Sequence, residues 1–250
     1  MHTILTNCTL IDGTGREPVP EAVVVISEGM VVYAGAASGW QEAEQSITVD
    51  LHGQYVLPGL IDAHVHLSGS GEADSNFSAP TGPMALKILS NAQKNLAAGI
   101  TTVRDLGGWG ELEFDVRRAI QRGEFAGPRM CLAGRFISIT EAGADYYPGM
   151  YRVADGVDEV RKAVREQVKH GADVIKMGVT GAVLVESGVP GATHFNVDEM
   201  LALVEEARKF GKPVAMHAHG IDGITKAVDA GVSTLEHGTY LYQDPNVIWH

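Results

Sequence analysis

The chain has 250 residues, of which 45% are hydrophobic and 20% charged, and its 31 Asp and Glu outnumber 19 Lys and Arg to give a net charge of -12. That balance describes a globular protein with a sizeable core and excludes a disordered or fibrous chain. It also argues against a nucleic-acid partner, because phosphate binding needs a basic face.

The first residues, MHTILTNCTL, lack a basic leader, and no run reaches the roughly 18 apolar residues of a membrane span. No membrane partner and a cytoplasmic location are therefore expected. The two cysteines, Cys8 and Cys131, are far apart and make neither a disulfide framework nor a cysteine-based zinc site.

Residues 1–57 carry short β-branched runs, Thr3 to Leu10, Ala22 to Ile26, Met30 to Tyr33 and Ile47 to Leu51, split by turn material such as Asp12-Gly13-Thr14-Gly15, Glu28-Gly29 and His52-Gly53. This is the pattern of a small antiparallel sheet without helices. After Pro58 the rhythm changes, and short apolar runs alternate with amphipathic stretches. Val157, Val160, Val164 and Val168 recur at helical spacing before Gly171 stops the helix, and Asn196 with Glu199 forms a capping box for the next. Six strands are predicted, near 59–64, 100–104, 129–133, 172–176, 213–217 and 232–236. Repeated strand-helix units imply a parallel sheet over 58–250, open or closed into a (β/α)8 barrel. Residues 244–250 read as the start of a further helix. Six strands of a closed barrel would leave two raw edges, so the expectation is the first part of a longer, truncated barrel.

The first run, PGLIDAHVHL, ends on His64 and His66. In a strand such residues share a face about 6.5 Å apart along the chain, so their imidazoles can converge. Polar residues close the other runs as well: Arg104 and Asp105, Lys176, His217 and His219, Glu236 and His237. Parallel α/β folds place their chemistry at these carboxyl ends. Imidazoles from three strands point to a metal centre, for which zinc suits the donor set. An ammonium beside two divalent metals is strongly disfavoured, so Lys176 must be neutral or changed; carbamylation by carbon dioxide makes it a carboxylate able to bridge two ions. Arg104 and Asp105 read as an ion pair on the rim, and Glu236 as either a hydrogen-bonding anchor or a catalytic group.

PGLIDAHVHL, AGITTVRDLGG, GADVIKM, PVAMHAHG and AGVSTLEHG, in this order and spacing, resemble the amidohydrolase superfamily, in particular its imidazolonepropionase-like and Xaa-Pro dipeptidase-like group, which includes ochratoxin-hydrolysing enzymes. The resemblance implies a TIM-type metal-dependent hydrolase barrel with a small N-terminal β-sandwich, here residues 58–250 and 1–57. It implies two divalent ions, zinc, with His64 and His66 on one, His217 and His237 on the other, and a carboxylated Lys176 bridging them. Spacing does not say which member of His217-Ala218-His219 coordinates; the family's ligand is the first histidine of that segment, which leaves His219 behind it or against substrate. The implied reaction is hydrolysis of an amide-type C–N bond by a metal-bound hydroxide, with Lys176 and His237 as catalytic metal ligands and a dipeptide, N-acyl amino acid or aryl amide as the small-molecule substrate. In the family a strand-eight aspartate is the general base, and this sequence stops before it.

The loops Ser68 to Gly82, Gly134 to Arg152 and Thr180 to His194 are the candidates for shaping the pocket, with Tyr146, Tyr147 and His194 as substrate contacts. Where relatives carry a glycine pair and a histidine, this chain has Glu141-Ala142-Gly143-Ala144-Asp145-Tyr146-Tyr147, which departs from the family. A cyclic-amide hydrolase or deaminase, or a non-catalytic fragment, are the alternatives; a homo-oligomer is left open.

Overall fold

A computed structural model describes residues 1–41, 45–69, 80–181 and 189–241, with backbone alone at 240 and 241. The chain divides into two compact units, Met1–Gly59 and Leu60–His250.

The first unit is a four-stranded sheet of β1 (His2–Leu10), β2 (Val19–Ser27), β3 (Met30–Ala36) and β4 (Ser46–Val56), in the order β3-β2-β1-β4. The expected strands are there, but the sheet is mixed: β1 pairs antiparallel with β2 and parallel with β4. β4 does not return beside β3 as a hairpin partner; it lies on the far side of β1, and a 3-10 turn at Ala37–Gly39 follows β3, so the connection is a crossover of the kind that delivers a parallel strand.

In the second unit β5 (Leu60–Val65), β6 (Ile100–Asp105) and β7 (Arg129–Leu132) form one parallel sheet. A second parallel sheet runs β12-β11-β10-β8-β9, from β8 (Phe136–Ser138), β9 (Tyr151–Val153), β10 (Ile175–Gly178), β11 (Val214–Gly220) and β12 (Thr234–Leu241). Helices α1 (Thr81–Ala97), α2 (Leu112–Gln121), α4 (Val157–His170), α5 (Val197–Lys209) and α6 (Ile221–Asp229) alternate with the strands, and α3 (Ala142–Tyr146) is a short turn between β8 and β9.

Two details differ from the sequence reading. The third strand lies where it was expected, at Arg129–Leu132, but after a break at Ala133-Gly134-Arg135, where Gly134 takes φ +73°, an unexpected further strand, β8, pairs with β10. The fourth starts three residues late, because Asp173 is engaged otherwise: its N–H donates to Leu132 O (2.8 Å) and its carboxylate accepts from Leu132 N (2.9 Å) and from Arg117. Lys176 is consequently the second residue of a four-residue strand rather than the last of a longer one.

Strand alternation sorts the unit into layers. Met130, Leu132, Ile175, Met177, Val214 and Met216 face the main core, where Met84 and Ile88 of α1, Val160 and Val164 of α4, and Met200 and Leu203 of α5 meet them. The intervening residues form a small second cluster of Leu106, Ala133, Val174 and Ala215, and Lys176 and His217 alternate onto that same face. Local signals hold where they were expected: Gly171 ends α4 at φ +95°, and Asn196 and Glu199 make the capping box of α5.

Helices α4 and α5 are pinned by Glu206, a buried carboxylate that accepts from Arg161 (3.3 Å), Arg165 (2.8 Å) and Lys209 (2.7 Å). Arg165 and then Lys209, overcoming burial, hold its carboxyl down to about 2. A depressed acid stabilises the fold above its unfolded value of 4.5 and loses that contribution as pH falls towards 2. Glu206→Gln is expected to lower stability at neutral pH and to flatten the acid limb of a circular-dichroism titration between those values; an unchanged limb would place acid sensitivity elsewhere.

Candidate metal centre

His64 is the penultimate residue of β5 and His66 follows the strand, their ring centroids 5.3 Å apart. The ring of His237, on β12, lies 5.0 Å from His64, 4.6 Å from His217 and 4.9 Å from His219, both on β11. Among the described residues, ligand atoms of His217, His219 and His237 all lie within 4.8 Å of one another. Successive strand residues face opposite ways, yet Glu236 and His237 both address this cluster. The backbone explains it: His237 adopts φ +70° and the β11–β12 register shifts beside it, so the alternation is broken there.

Burial, then the nearby Lys176 charge, lowers His64 and His237 to about 4 and His217 well below its ordinary value; His219 is lowered by the same two causes. All four rings are neutral at neutral pH, each with a nitrogen lone pair to offer. Lys176 is 1% exposed, its Nζ makes no hydrogen bond among the described residues, and it stands 5.8 Å from the Phe136 ring centroid. Burial brings its amine down to about 7, with Glu236 opposing and Arg104 assisting. A buried, partnerless amine next to neutral imidazoles fits a centre that takes cations and a carboxylated lysine.

The supports behind the rings differ from the expected ones. Arg104 does not pair with Asp105. Arg104 Nη2 donates to Glu236 Oε1 (2.8 Å), while the other Glu236 oxygen meets His64 Nδ1 (2.9 Å). Asp105, 1% exposed, accepts instead from Leu67 N (2.8 Å) and Gly107 N (3.0 Å), and Gly107 O meets His66 Nδ1 at 3.1 Å. Neighbours on a strand point to opposite faces, so period-two alternation already argued against an Arg104–Asp105 pair. Gly107 has to be glycine, since a Cβ there would lie 2.9 Å from His66 Nδ1.

The rim is aromatic. From His217 a ladder of rings runs through Phe136 (6.2 Å) to Tyr151 (4.9 Å), Tyr147 (6.1 Å) and the exposed Tyr146 (4.7 Å). Phe136 and Tyr151 were missed in the sequence; the aromatic spacing of Tyr147 and Tyr151 was the available signal. His194 flanks Gly181, whose carbonyl lies 3.3 Å from His217 Nε2. Residues 70–79 and 182–188 of the first and third candidate loops, and the helix expected over 244–250, lie outside the described residues.

The sequence pattern of the amidohydrolase family matches residues 55–248. The chain belongs to the amidohydrolase family. It is 32% identical over 265 residues to the ochratoxinase of Aspergillus niger, covering 95% of this chain and 54% of that protein. It is 26% identical over 253 residues to the enamidase of Eubacterium barkeri, covering 99% and 56%. A crystal structure of a Xaa-Pro dipeptidase with methionine in its active site matches with TM-score 0.84 and 33% identity, over 97% of this chain and 63% of that one. This amidohydrolase chain thus spans about half the length of the curated relatives it matches. Its parallel α/β fold matches amidohydrolase TIM-barrel structures, and among the described residues no helix is long and apolar enough to cross a membrane.

Proposed function

We propose that this amidohydrolase is a metal-dependent hydrolase of an amide-type C–N bond in a dipeptide, an N-acyl amino acid or an aryl amide. The observation that carries the proposal is the buried Lys176 amine, without a hydrogen-bond partner among the described residues and lowered to about 7, among neutral imidazoles. His64 and His66 would hold one divalent ion, His217 and His237 the other, with Lys176 between them and zinc as the metal. Two such ions supply Lewis acidity towards the scissile carbonyl and make a hydroxide nucleophile available near neutral pH.

The chain's own residues prepare that chemistry. A neutral Lys176 amine can add to carbon dioxide and shed one proton, which forms a carbamate with two oxygens. His219, tied through Nδ1 to Thr239 Oγ1 (2.9 Å), keeps Nε2 for substrate. Its presence in the close triple with His217 and His237 favours a second assignment, in which it is a third imidazole ligand. Tyr146, Tyr147 and His194 shape the substrate side, where the ring ladder suits a flat or apolar group. No general base is assigned to any of these residues.

The chain is proposed to comprise two domains, residues 1–57 and 58–250. The second would be the first six strands of a (β/α)8 barrel. The first would be one layer of a β-sandwich, in keeping with exposed Met30, Val31, Val32, Ile47 and Val49 on its sheet. The free Cys8 and Cys131 suit a reducing, cytoplasmic setting. The Xaa-Pro dipeptidase among the similar structures supports a dipeptide, whereas imidazolonepropionase and adenine deaminase among the relatives keep a cyclic-amide hydrolase or deaminase as the rival.

Metal content by plasma mass spectrometry, on protein prepared with bicarbonate, tests the reading. About two ions per chain are expected, falling towards one in Lys176→Ala. Folded protein without metal would refute it. A panel of N-acyl amino acids, dipeptides and cyclic amides then separates the substrate classes.

A further inference from the structure

We propose that Glu236, clamped by Arg104, is a positioning residue that fixes the ring and tautomer of His64 from a strand of the other sheet. The proposal rests on His64 being a metal ligand for its functional meaning, and on the hydrogen-bond geometry alone for its existence.

Glu236 is buried and both its oxygens are used. Oε2 lies 2.9 Å from His64 Nδ1; Oε1 accepts from Arg104 Nη2 (2.8 Å) and from the Thr234 hydroxyl (2.9 Å). The guanidinium is held in turn on two more sides: Nε donates to Ala63 O (2.6 Å), next to His64 in β5, and Nη1 to Thr234 Oγ1 (3.1 Å) in β12. One side chain from β6 therefore grips the backbone of the strand that carries His64 and the carboxylate that faces its ring. A planar guanidinium with several donors can hold this arrangement, where a lysine would supply only a point charge.

A carboxylate on Nδ1 makes that nitrogen the N–H donor and leaves the Nε2 lone pair free, in a basic ring of set orientation, which is what an imidazole ligand needs. His66 is served differently, its Nδ1 meeting the neutral Gly107 carbonyl at 3.1 Å. Two histidines two residues apart thus have unequal supports, one anionic and one neutral. Glu236 is also the chain neighbour of His237, and the φ of +70° at His237 turns both towards the cluster. The group that orients a ligand on one side of the centre is bonded to a ligand on the other, so its loss should be felt on both.

The bland reading, an ion pair that merely ties strand ends, predicts loss of stability without change in His64. Long-range proton–nitrogen correlation spectra of metal-free, histidine-labelled protein distinguish the two, alongside metal affinity by chelator competition. The wild-type protein is expected to show His64 protonated on Nδ1 only. In Glu236→Gln the single amide oxygen is taken by Arg104 and the amide NH2 faces His64 Nδ1 as a donor, so His64 should shift towards the Nε2-protonated tautomer, with metal affinity falling about 10- to 100-fold. Should Glu236→Gln not fold, Arg104→Lys, which keeps the charge but loses the fork to Ala63 and Thr234, is expected to move His64 the same way by less. A folded Glu236→Gln variant with an unaltered His64 tautomer would overturn the proposal. If the wild-type protein binds no metal, the proposed metal-dependent hydrolase function falls while the tautomer still decides the relay.

Discussion

Lys176→Met is expected to stabilise the metal-free protein near neutral pH while abolishing the second of the two proposed metal sites. The amine is 1% exposed and makes no hydrogen bond among the described residues, so a methionine of similar length forfeits no partner there and gains sulfur contact with Phe136, whose ring faces the amine. The unfolded chain keeps this proton up to 10.5 and the folded chain only to about 7. Between those values the unfolded state binds more protons, so stability rises with pH; below about 7 the penalty is complete. A shift of that size corresponds to an upper bound of about 4 to 5 kcal/mol, which the variant should recover at neutral pH and cease to recover towards 10.5. Denaturant midpoints of parent and variant across that window, without metal and bicarbonate, give the measurement. A variant less stable than its parent at neutral pH would mean that Lys176 has a favourable partner in solution, a carbamate without metal being the first to seek.

Removing Asp105 acts in the opposite direction. Asp105→Ala leaves the N–H groups of Leu67 and Gly107 buried without acceptors, at about 1 to 3 kcal/mol each, so a loss of about 2 to 5 kcal/mol and a fall in Tm of roughly 5 to 15 °C are expected. Asp105→Asn retains one carbonyl oxygen and should lose about half as much. The neighbouring Glu113 reports on the same change: burial, then the Asp105 charge, raises it to about 8, and its Oε2 has no partner. Without Asp105 the Glu113 carboxyl should titrate lower. Because Gly107 is the residue that meets His66, metal content should fall with Tm. Differential scanning calorimetry and metal analysis on one preparation check both. A Tm within about 2 °C of the parent would show that Leu67 and Gly107 find other acceptors.

The order of strands and helices, the turn at Gly171, the cap at Asn196 and the grouping of His64, His66, His217 and His237 were legible in the chain, because each rests on spacing within a few residues or on a side chain's place at a strand end. What tertiary structure alone decided lies between residues far apart. The partner of Arg104 is 132 residues away, on a strand of the other sheet, and only the fold of the whole unit brings Glu236 to it. The parallel pairing of β1 with β4, the break that divides β7 from β8, and the three-residue delay of β10 depend on which backbone groups find partners across strands, which no local propensity contains. His219 joined the close imidazole triple because a left-handed φ at His237 turned that ring towards β11. Periodicity determined which residues face the site; long-range register and one strained backbone angle decided which of them touch.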